Sequence, residues 1–293
     1  MKSKVLISAP YLQNDIELFV DELKDKNIDF FVYPVKERME EDELLEHLPN
    51  YHGIICGDDR ITQKVIDACP DLKVIVKWGT GIDSINKKYA ATKDIPVYRT
   101  RNAFSEPVSD SVLAFILAFA RRIMVSDRLM KQGHWAKTDG FTLGEQTLGI
   151  IGLGDVGNAV ARKANAFGMK ILATDIRPIE AEILKAYNIE LVSLDEVLAQ
   201  SDYVATTCNL NPTSHHIITK AALDKMKPSA FLVNAARGPL VKEVDLIDAL
   251  QNKTIAGAAL DVFEDEPLPL DSPLRKMDNV LLSSHNTLSL IHI

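Results

Sequence analysis

The chain has little cysteine and no long apolar run. Cysteine occurs only as Cys56, Cys69 and Cys208, which show neither the paired spacing of a zinc site nor an even disulfide framework. We therefore expect no bound metal and a reducing, cytoplasmic environment. No apolar stretch is long enough to cross a bilayer without a charge. The lysine-containing N-terminus has only the short apolar run of a first strand, which is unlike a signal peptide.

An excess of positive charge is also lacking. Lys and Arg total 33 against 41 Asp and Glu, which gives a net charge of −8 and a pI near 5.4. This acidic balance argues against nucleic acid or an anionic membrane as a partner. Hydrophobic content of 46% and charged content of 25% are typical of soluble globular proteins. A length of 293 residues exceeds what one core usually supports, so we predict two domains.

A glycine fingerprint lies in the middle of the chain. Gly152, Gly154 and Gly157 follow an apolar run and open a helical pattern. In dinucleotide-binding units such glycines give a tight turn, close approach of a pyrophosphate, and close packing of helix on strand. Asp175 ends the next predicted strand, where a carboxylate can accept the ribose hydroxyls and repel the extra phosphate of NADP. We expect NAD as cofactor; Arg177 is the one feature that could weaken this preference, although a solvated surface charge is the simpler interpretation.

Short apolar runs alternate with charged, helix-like segments, which is typical of parallel sheets with crossover helices. They cover residues 5–7, 30–32, 53–55 and 74–76, and then 148–151, 170–174, 203–206, 231–234, 256–260 and 280–283. The sequence therefore predicts an α/β protein with two doubly wound, parallel-sheet (Rossmann-like) domains and an inter-domain cleft. We place the substrate domain at residues 1–100 and the NAD-binding domain at residues 101–287.

The segment from Pro107 to Arg122 is apolar on nearly every side of a predicted helix. Such a helix must be buried all round, and one domain can cover only part of it. We therefore expect a second subunit to cover the rest, which gives a homodimer.

Three polar segments follow the fingerprint, each at or beyond the carboxyl end of a predicted strand, where open α/β sheets bind ligands. They contain Arg237, Glu266 and His285. Arg237 offers a planar fork for a carboxylate, and His285 can exchange a proton near neutral pH with Glu266 fixing its tautomer. Taken singly, each has a plainer interpretation: a surface charge, a solvated acid and a strand-end histidine.

Together with the loop from Lys77 to Asp83, these motifs in this order resemble the D-isomer-specific 2-hydroxyacid dehydrogenases. The resemblance extends from the first strand to His285 and is greatest to the phosphoglycerate dehydrogenase-like branch. It implies an oxidoreductase that passes a hydride between nicotinamide C4 and the C2 of a D-2-hydroxy acid. Arg237 would bind the substrate carboxylate, Glu266 would pair with His285, and His285 would be the general acid or base.

The resemblance also implies binding residues. Substrate would contact Lys77 and the backbone amides of Gly79, Thr80 and Gly81, besides Arg237. Cofactor contacts would fall on Thr80, Gly152, Gly154, Asp155, Val156, Gly157, Asp175, Cys208, Ala235, Ala236 and Asp261. For Cys208 the contact would come from backbone and shape, so its thiol need not be reactive.

Some positions depart from the family pattern. A phosphorylated substrate needs clustered cations, but no arginine stands at Cys56 or Gly57, and Arg60 is only a nearby candidate. Arg101 and Ser284 stand where family members often have proline. The substrate is therefore open between 3-phosphoglycerate and an unphosphorylated 2-hydroxy acid. Two rivals remain, namely a non-enzymatic, NAD(H)-sensing corepressor-like binding protein and a formate dehydrogenase.

The chain also ends unusually for this family, whose members continue past the histidine into a helix that returns to the first domain. Here eight residues follow His285. The last six, residues 288–293, can be back-translated to the end of a transposon adapter used in sequencing libraries. We expect this tail to be non-native and the first domain to lack its usual C-terminal helix.

Overall fold

A computed structural model describes residues 2–288, which divide into two compact units, residues 2–104 and 105–288. Each unit contains one parallel sheet with helices, so the predicted α/β class with two doubly wound sheets is confirmed. Except for Leu288, the tail predicted to be non-native lies outside the described residues.

The first unit holds a five-stranded sheet in the order β2-β1-β3-β4-β5. Its strands are β1 (Ser3–Ile7), β2 (Ile28–Val32), β3 (Gly53–Cys56), β4 (Val74–Lys77) and β5 (Val97–Arg99). Its helices are α1 (Pro10–Asp15), α2 (Val20–Asp25), α3 (Glu41–His47), α4 (Gln63–Ala68) and α5 (Lys87–Thr92), with 3₁₀ turns at Ile16–Phe19 and Leu48–Asn50. Leu6, Ile54 and Ile75 are fully buried in the core. The strand order reverses between β1 and β3, where such sheets open a crevice.

The second unit holds a seven-stranded sheet in the order β12-β11-β10-β9-β6-β7-β8. Its strands are β6 (Thr147–Ile151), β7 (Lys170–Thr174), β8 (Ile189–Leu191), β9 (Tyr203–Thr206), β10 (Phe231–Asn234), β11 (Gly257–Leu260) and β12 (Val280–Leu282). Its helices are α6 (Ser105–Ala120), α7 (Ile123–Lys131), α8 (Asp155–Ala166), α9 (Ala181–Ala186), α10 (Leu194–Gln200), α11 (Lys220–Leu223) and α12 (Glu243–Gln251), with 3₁₀ turns at Leu143–Glu145, Gly238–Leu240 and Pro273–Lys276. The order is the dinucleotide-binding one, with the reversal between β6 and β9.

The apolar runs became strands because both faces of these sheets are covered. Every residue of β9 and β11 is buried, which explains why they show continuous rather than alternating hydrophobicity. The apolar runs noted in the sequence included neither β5 nor β8, each of three residues.

Helix α6 is covered mainly by its own unit. Val112, Leu113 and Ile116 are buried in the core of that unit, and Phe119 stacks on Phe231 with ring centroids 4.3 Å apart. Large exposed apolar side chains occur instead on α7 and in the segment after it: Ile123, Met124, Met130, Trp135 and Phe141. The homodimer therefore stays a prediction, and the surface that supports it lies after α6.

Within residues 2–288, none of the helices combines the length and the apolar character that crossing a membrane requires.

Candidate active site

The glycine turn joins β6 to α8. Gly152 has a φ of +102°, and a Cβ there would lie 2.6 Å from the Cα of Cys208. A Cβ on Gly157 would overlap the carbonyl of Gly152, so helix and turn touch directly. A Cβ on Gly154 would meet no atom of the described chain within 4 Å. The turn is therefore closed on its inner side and open at Gly154, where α8 begins and its amides favour an anion.

Asp175 follows β7 and lies against this turn. Its carboxylate accepts a hydrogen bond from the Leu153 amide at 2.8 Å and from the Arg177 amide at 2.9 Å. The Arg177 guanidinium adds two bonds at 3.0 and 3.1 Å. Burial would raise the pKa of Asp175, but the hydrogen bonds and charge of Arg177 outweigh it and hold the pKa below its ordinary value. Arg177 is thus bound to Asp175 and is more than a solvated surface charge.

These residues fit NAD. An open backbone face at the start of α8 suits a pyrophosphate, and the anchored, ionised Asp175 supplies the ribose acceptor. Asp155 and Val156 form the first turn of α8, and Cys208 packs on Gly152. Burial raises the pKa of the Cys208 thiol to about 11.

Arg237 is presented by a turn at the end of β10. Asn234 is 1% exposed; its side-chain oxygen accepts bonds from Thr206 Oγ1 at 2.8 Å and the Ala236 amide at 3.2 Å. Its side-chain nitrogen donates to the Arg237 carbonyl at 2.9 Å. Asn234 therefore shapes the turn that holds Ala235, Ala236 and Arg237. This role was missed, although a polar residue that ends a buried apolar strand is a signal that could have shown it.

The predicted acid–base pair is close enough to bond. His285 Nδ1 lies 2.9 Å from Glu266 Oε2, and the other oxygen of Glu266 accepts from the Phe263 amide at 2.9 Å. Both side chains are largely buried. His285 has a φ of +53°, a conformation that costs energy for a histidine and indicates a constrained position.

Asp261, which is fully buried, supports that conformation. Its carbonyl accepts from the His285 amide at 2.7 Å. Its carboxylate accepts from the Asn286 amide at 2.9 Å and from the hydroxyl of Thr287 at 2.6 Å. In this structure Asp261 holds the backbone around His285, and its expected contact with NAD stays a prediction.

The first unit carries the other predicted residues on the loop after β4. Lys77 is 3% exposed, and its ammonium donates to the Gly57 carbonyl and to Asp58, both at 2.5 Å. Gly79 packs over the Lys77 side chain, and its carbonyl accepts from the Thr100 amide at 3.1 Å. Arg99 donates to the Thr80 carbonyl at 2.9 Å. Gly79, Thr80 and Gly81 thus form a loop tied to the end of β5, and their ligand contacts stay predictions.

Comparisons with known proteins identify the family of this chain. The family model described as "D-isomer specific 2-hydroxyacid dehydrogenase, NAD binding domain" matches residues 113–287. A glyoxylate reductase of Thermofilum pendens is 39% identical over 252 residues, which cover 83% of this chain and 74% of the relative.

Two solved structures are similar over nearly the whole chain. The D-lactate dehydrogenase of Aquifex aeolicus, complexed with NAD and lactic acid, has a TM-score of 0.88 and 28% identity, covering 98% of this chain and 90% of that one. The NAD-dependent formate dehydrogenase of Staphylococcus aureus, in complex with NAD, has a TM-score of 0.84 and 25% identity, with coverage of 97% and 88%.

Proposed function

Because this chain belongs to the D-isomer-specific 2-hydroxyacid dehydrogenase family and is an NAD-dependent enzyme, we propose that its substrates are small, unphosphorylated 2-keto acids and 2-hydroxy acids, such as glyoxylate. The observation that supports this activity is the pairing of Glu266 with His285, because reduction of a carbonyl group requires a proton donor beside the hydride donor. We choose an unphosphorylated substrate because Lys77 already faces a carboxylate.

The residues of the second unit divide the reaction between them. The glycine turn and Asp175 would hold NADH, which would supply the hydride for the new C2–H bond as the nicotinamide C4–H bond breaks. Arg237 binds the substrate carboxylate through its guanidinium and orients the carbonyl. His285 Nε2 gives its proton to the carbonyl oxygen as the C=O π electrons move there, so the Nε2–H bond breaks and an O–H bond forms. In the reverse direction the same nitrogen takes the proton back.

Glu266 contacts the His285 ring at Nδ1, the nitrogen that does not exchange a proton with the substrate. Its carboxylate holds Nδ1, which fixes the ring's tautomer and leaves proton exchange with the substrate to Nε2. The negative charge also stabilises the imidazolium that exists before the proton is given up.

The first unit argues against a phosphorylated substrate. A phosphate dianion requires clustered cations, yet Lys77 is buried against Asp58 and the Gly57 carbonyl. Arg60, the nearby candidate, lies 3.9 Å from Glu40. The cations to which the sequence pointed thus already face carboxylates, and a dianion would compete with them.

Purified enzyme tests the proposal through NADH absorbance. We would offer glyoxylate, pyruvate, hydroxypyruvate and 3-phosphohydroxypyruvate with NADH, and formate with NAD. We expect kcat/KM to be highest for an unphosphorylated keto acid. A preference for the phosphorylated substrate would refute the substrate class, while turnover of formate alone would favour the formate dehydrogenase. Tight NADH binding without turnover of any compound would favour the corepressor-like sensor.

We also propose a homodimer whose interface includes the exposed apolar side chains of α7 and the following segment. Trp135 is 84% exposed and Phe141 is 57% exposed. Large exposed apolar side chains that lie close in sequence are typical of protein–protein contact surfaces. This proposal places the partner subunit next to α6, the helix whose composition first indicated a dimer.

A further inference from the structure

His216 has an unusual backbone conformation that no recognised motif accounts for. Its φ is +52°, in the left-handed region that few residues other than glycine adopt, with asparagine, aspartate and histidine the commonest exceptions. Its amide donates to the Pro239 carbonyl at 2.8 Å, and the Ile218 amide donates to the Leu240 carbonyl at 3.0 Å. The backbone of His216 is thereby attached to the 3₁₀ turn that directly follows Arg237.

The side chain of His216 reaches a different segment. Its Nε2 lies 2.5 Å from Glu264 Oε1. Because an ionised carboxylate can only accept, Nε2 carries the proton of this bond. The other oxygen of Glu264 accepts from the Glu243 amide at 3.1 Å, and Glu243 Oε2 accepts in return from the Glu264 amide at 3.3 Å. Glu264 is therefore held both at its side chain and at its backbone.

Glu264 lies two residues before Glu266, in the same tight loop. The amide of Phe263 donates to Glu266 Oε1 at 2.9 Å, so the backbone preceding Glu264 directly orients the Glu266 carboxylate. The same stretch packs on Gly238, where a Cβ would overlap the Phe263 carbonyl. A shift of the backbone at Glu264 would therefore also move the Glu266 carboxylate.

We propose that His216 and Glu264 are positioning residues: the hydrogen bond between their side chains fastens the loop that carries Glu266 to the turn that carries Arg237. The pair thereby sets the hydrogen bond between Glu266 and His285 while acting only through Glu266. This inference rests on the proposed function, in which Glu266 and His285 form the acid–base pair.

Two variants break the pair in different ways. Glu264→Gln keeps the size of the side chain and removes its charge. His216→Asn removes the imidazole but keeps a residue that tolerates a positive φ. His215→Asn is the matched control, because His215 is an exposed neighbour whose ring centroid lies 3.9 Å from that of His216, in a tilted arrangement, and it takes no part in the hydrogen bond to Glu264. A cooperative thermal unfolding transition establishes that a variant is folded. If His216→Asn does not fold, Glu264→Gln alone tests the proposal.

Steady-state kinetics give the first measurement. We expect kcat for the best keto acid to fall about tenfold or more in both variants, on the scale of a misplaced acid–base group. The KM for the keto acid and the Kd for NADH should stay within about twofold, because neither residue is assigned to binding. The double variant should lose no more than the more severe single one, since both changes break one interaction. The His215→Asn variant should match the wild type.

Proton NMR of the His285 Nδ1–H, assigned with His285→Gln, gives a measurement that does not depend on turnover. In both variants we expect this resonance to weaken through faster exchange with water, because Glu266 is no longer fixed. An unchanged resonance or an unchanged kcat in the folded variants would refute the proposal, as would an equal effect of His215→Asn. If the wild type reduces no keto acid, the proposed function fails, while the NMR signal still decides whether the hydrogen bond between His216 and Glu264 positions Glu266.

Discussion

His285 Nδ1 lies 2.9 Å from Glu266 Oε2, with the Glu266 carboxylate held from its other side by the Phe263 amide. The histidine is bound through its backbone to Asp261, which is fully buried. This arrangement fixes both the position and the tautomer of an imidazole, as a general acid requires.

Replacing His285 should therefore stop the chemistry and spare the cofactor. We expect His285→Ala to lower kcat by about two orders of magnitude or more, while the Kd for NADH, measured by fluorescence, stays nearly unchanged. The control is His215→Ala, which replaces an exposed histidine outside the proposed dimer surface. Unchanged turnover in His285→Ala would remove this residue from the mechanism.

Asp175 should set the preference for NAD. Asp175→Ser removes the carboxylate that we predict to face the ribose and frees the Arg177 guanidinium, which is otherwise bonded to it, for a 2′-phosphate. We expect the ratio of kcat/KM for NADPH to that for NADH to rise by about tenfold or more, which corresponds to about 1.4 kcal/mol. A ratio that stays the same would show that Asp175 does not discriminate.

The contribution of Asp175 to NADH binding should not depend on pH near neutrality. Because the pKa of Asp175 in the folded protein lies below its ordinary value, the group is fully ionised at neutral pH. Its contribution to NADH binding and to folding should be constant through the neutral range and should be lost only as the pH falls through that lowered pKa. The test is the Kd for NADH from pH 8 to pH 5, and the difference between wild type and Asp175→Ser should not change over this range.

Two glycines provide a matched test of stability against binding. A methyl group at Gly238 would overlap the Phe263 carbonyl, whereas one at Gly154 would enter open space. We expect Gly238→Ala to lower the free energy of unfolding by about 1–3 kcal/mol or more. Gly154→Ala should unfold at nearly the wild-type temperature but bind NADH more weakly, because its methyl group occupies the face that a pyrophosphate approaches. Equal effects of the two changes on NADH affinity and on unfolding would contradict this assignment.

Cys208 should be unreactive despite its place beside the glycine turn. Burial and the charge of Asp175 raise its pKa to about 11, so little thiolate exists at neutral pH. We expect iodoacetamide at pH 7.5 to alkylate Cys208 about two orders of magnitude more slowly than a free cysteine. The rate should rise as the pH approaches 11. Peptide mass spectrometry after timed labelling gives the rate, with urea-unfolded protein as the control.

The proposed interface predicts a change in oligomeric state. We expect light scattering to show a dimer for the wild type and a monomer for Trp135→Glu, because the charge would be buried in the interface. Leu18→Glu is the control, since Leu18 is 79% exposed and belongs to the first unit. A monomeric wild type at micromolar concentration would refute the dimer.

The sequence was sufficient to predict the elements that depend mainly on residues close together in the chain. The glycine spacing at Gly152, Gly154 and Gly157 and the following Asp175 indicated a dinucleotide turn, because a steric requirement on the backbone restricts the residue type. The short, continuous apolar runs predicted their strands because parallel strands are buried on both faces. The family resemblance added Arg237, Glu266 and His285, and the structure places the last two within hydrogen-bonding distance.

Tertiary structure decided what depends on residues far apart in the chain. The resemblance placed Lys77 among the substrate contacts, but folding buries its ammonium against Asp58 and the Gly57 carbonyl, which lie at the end of a neighbouring strand. Likewise, His216 and Glu264 are 48 positions apart and carry no local signal. The sequence determined which segments could form a strand, a helix or a phosphate turn. Only packing determined which charges are neutralised, because a partner's position depends on how distant elements meet.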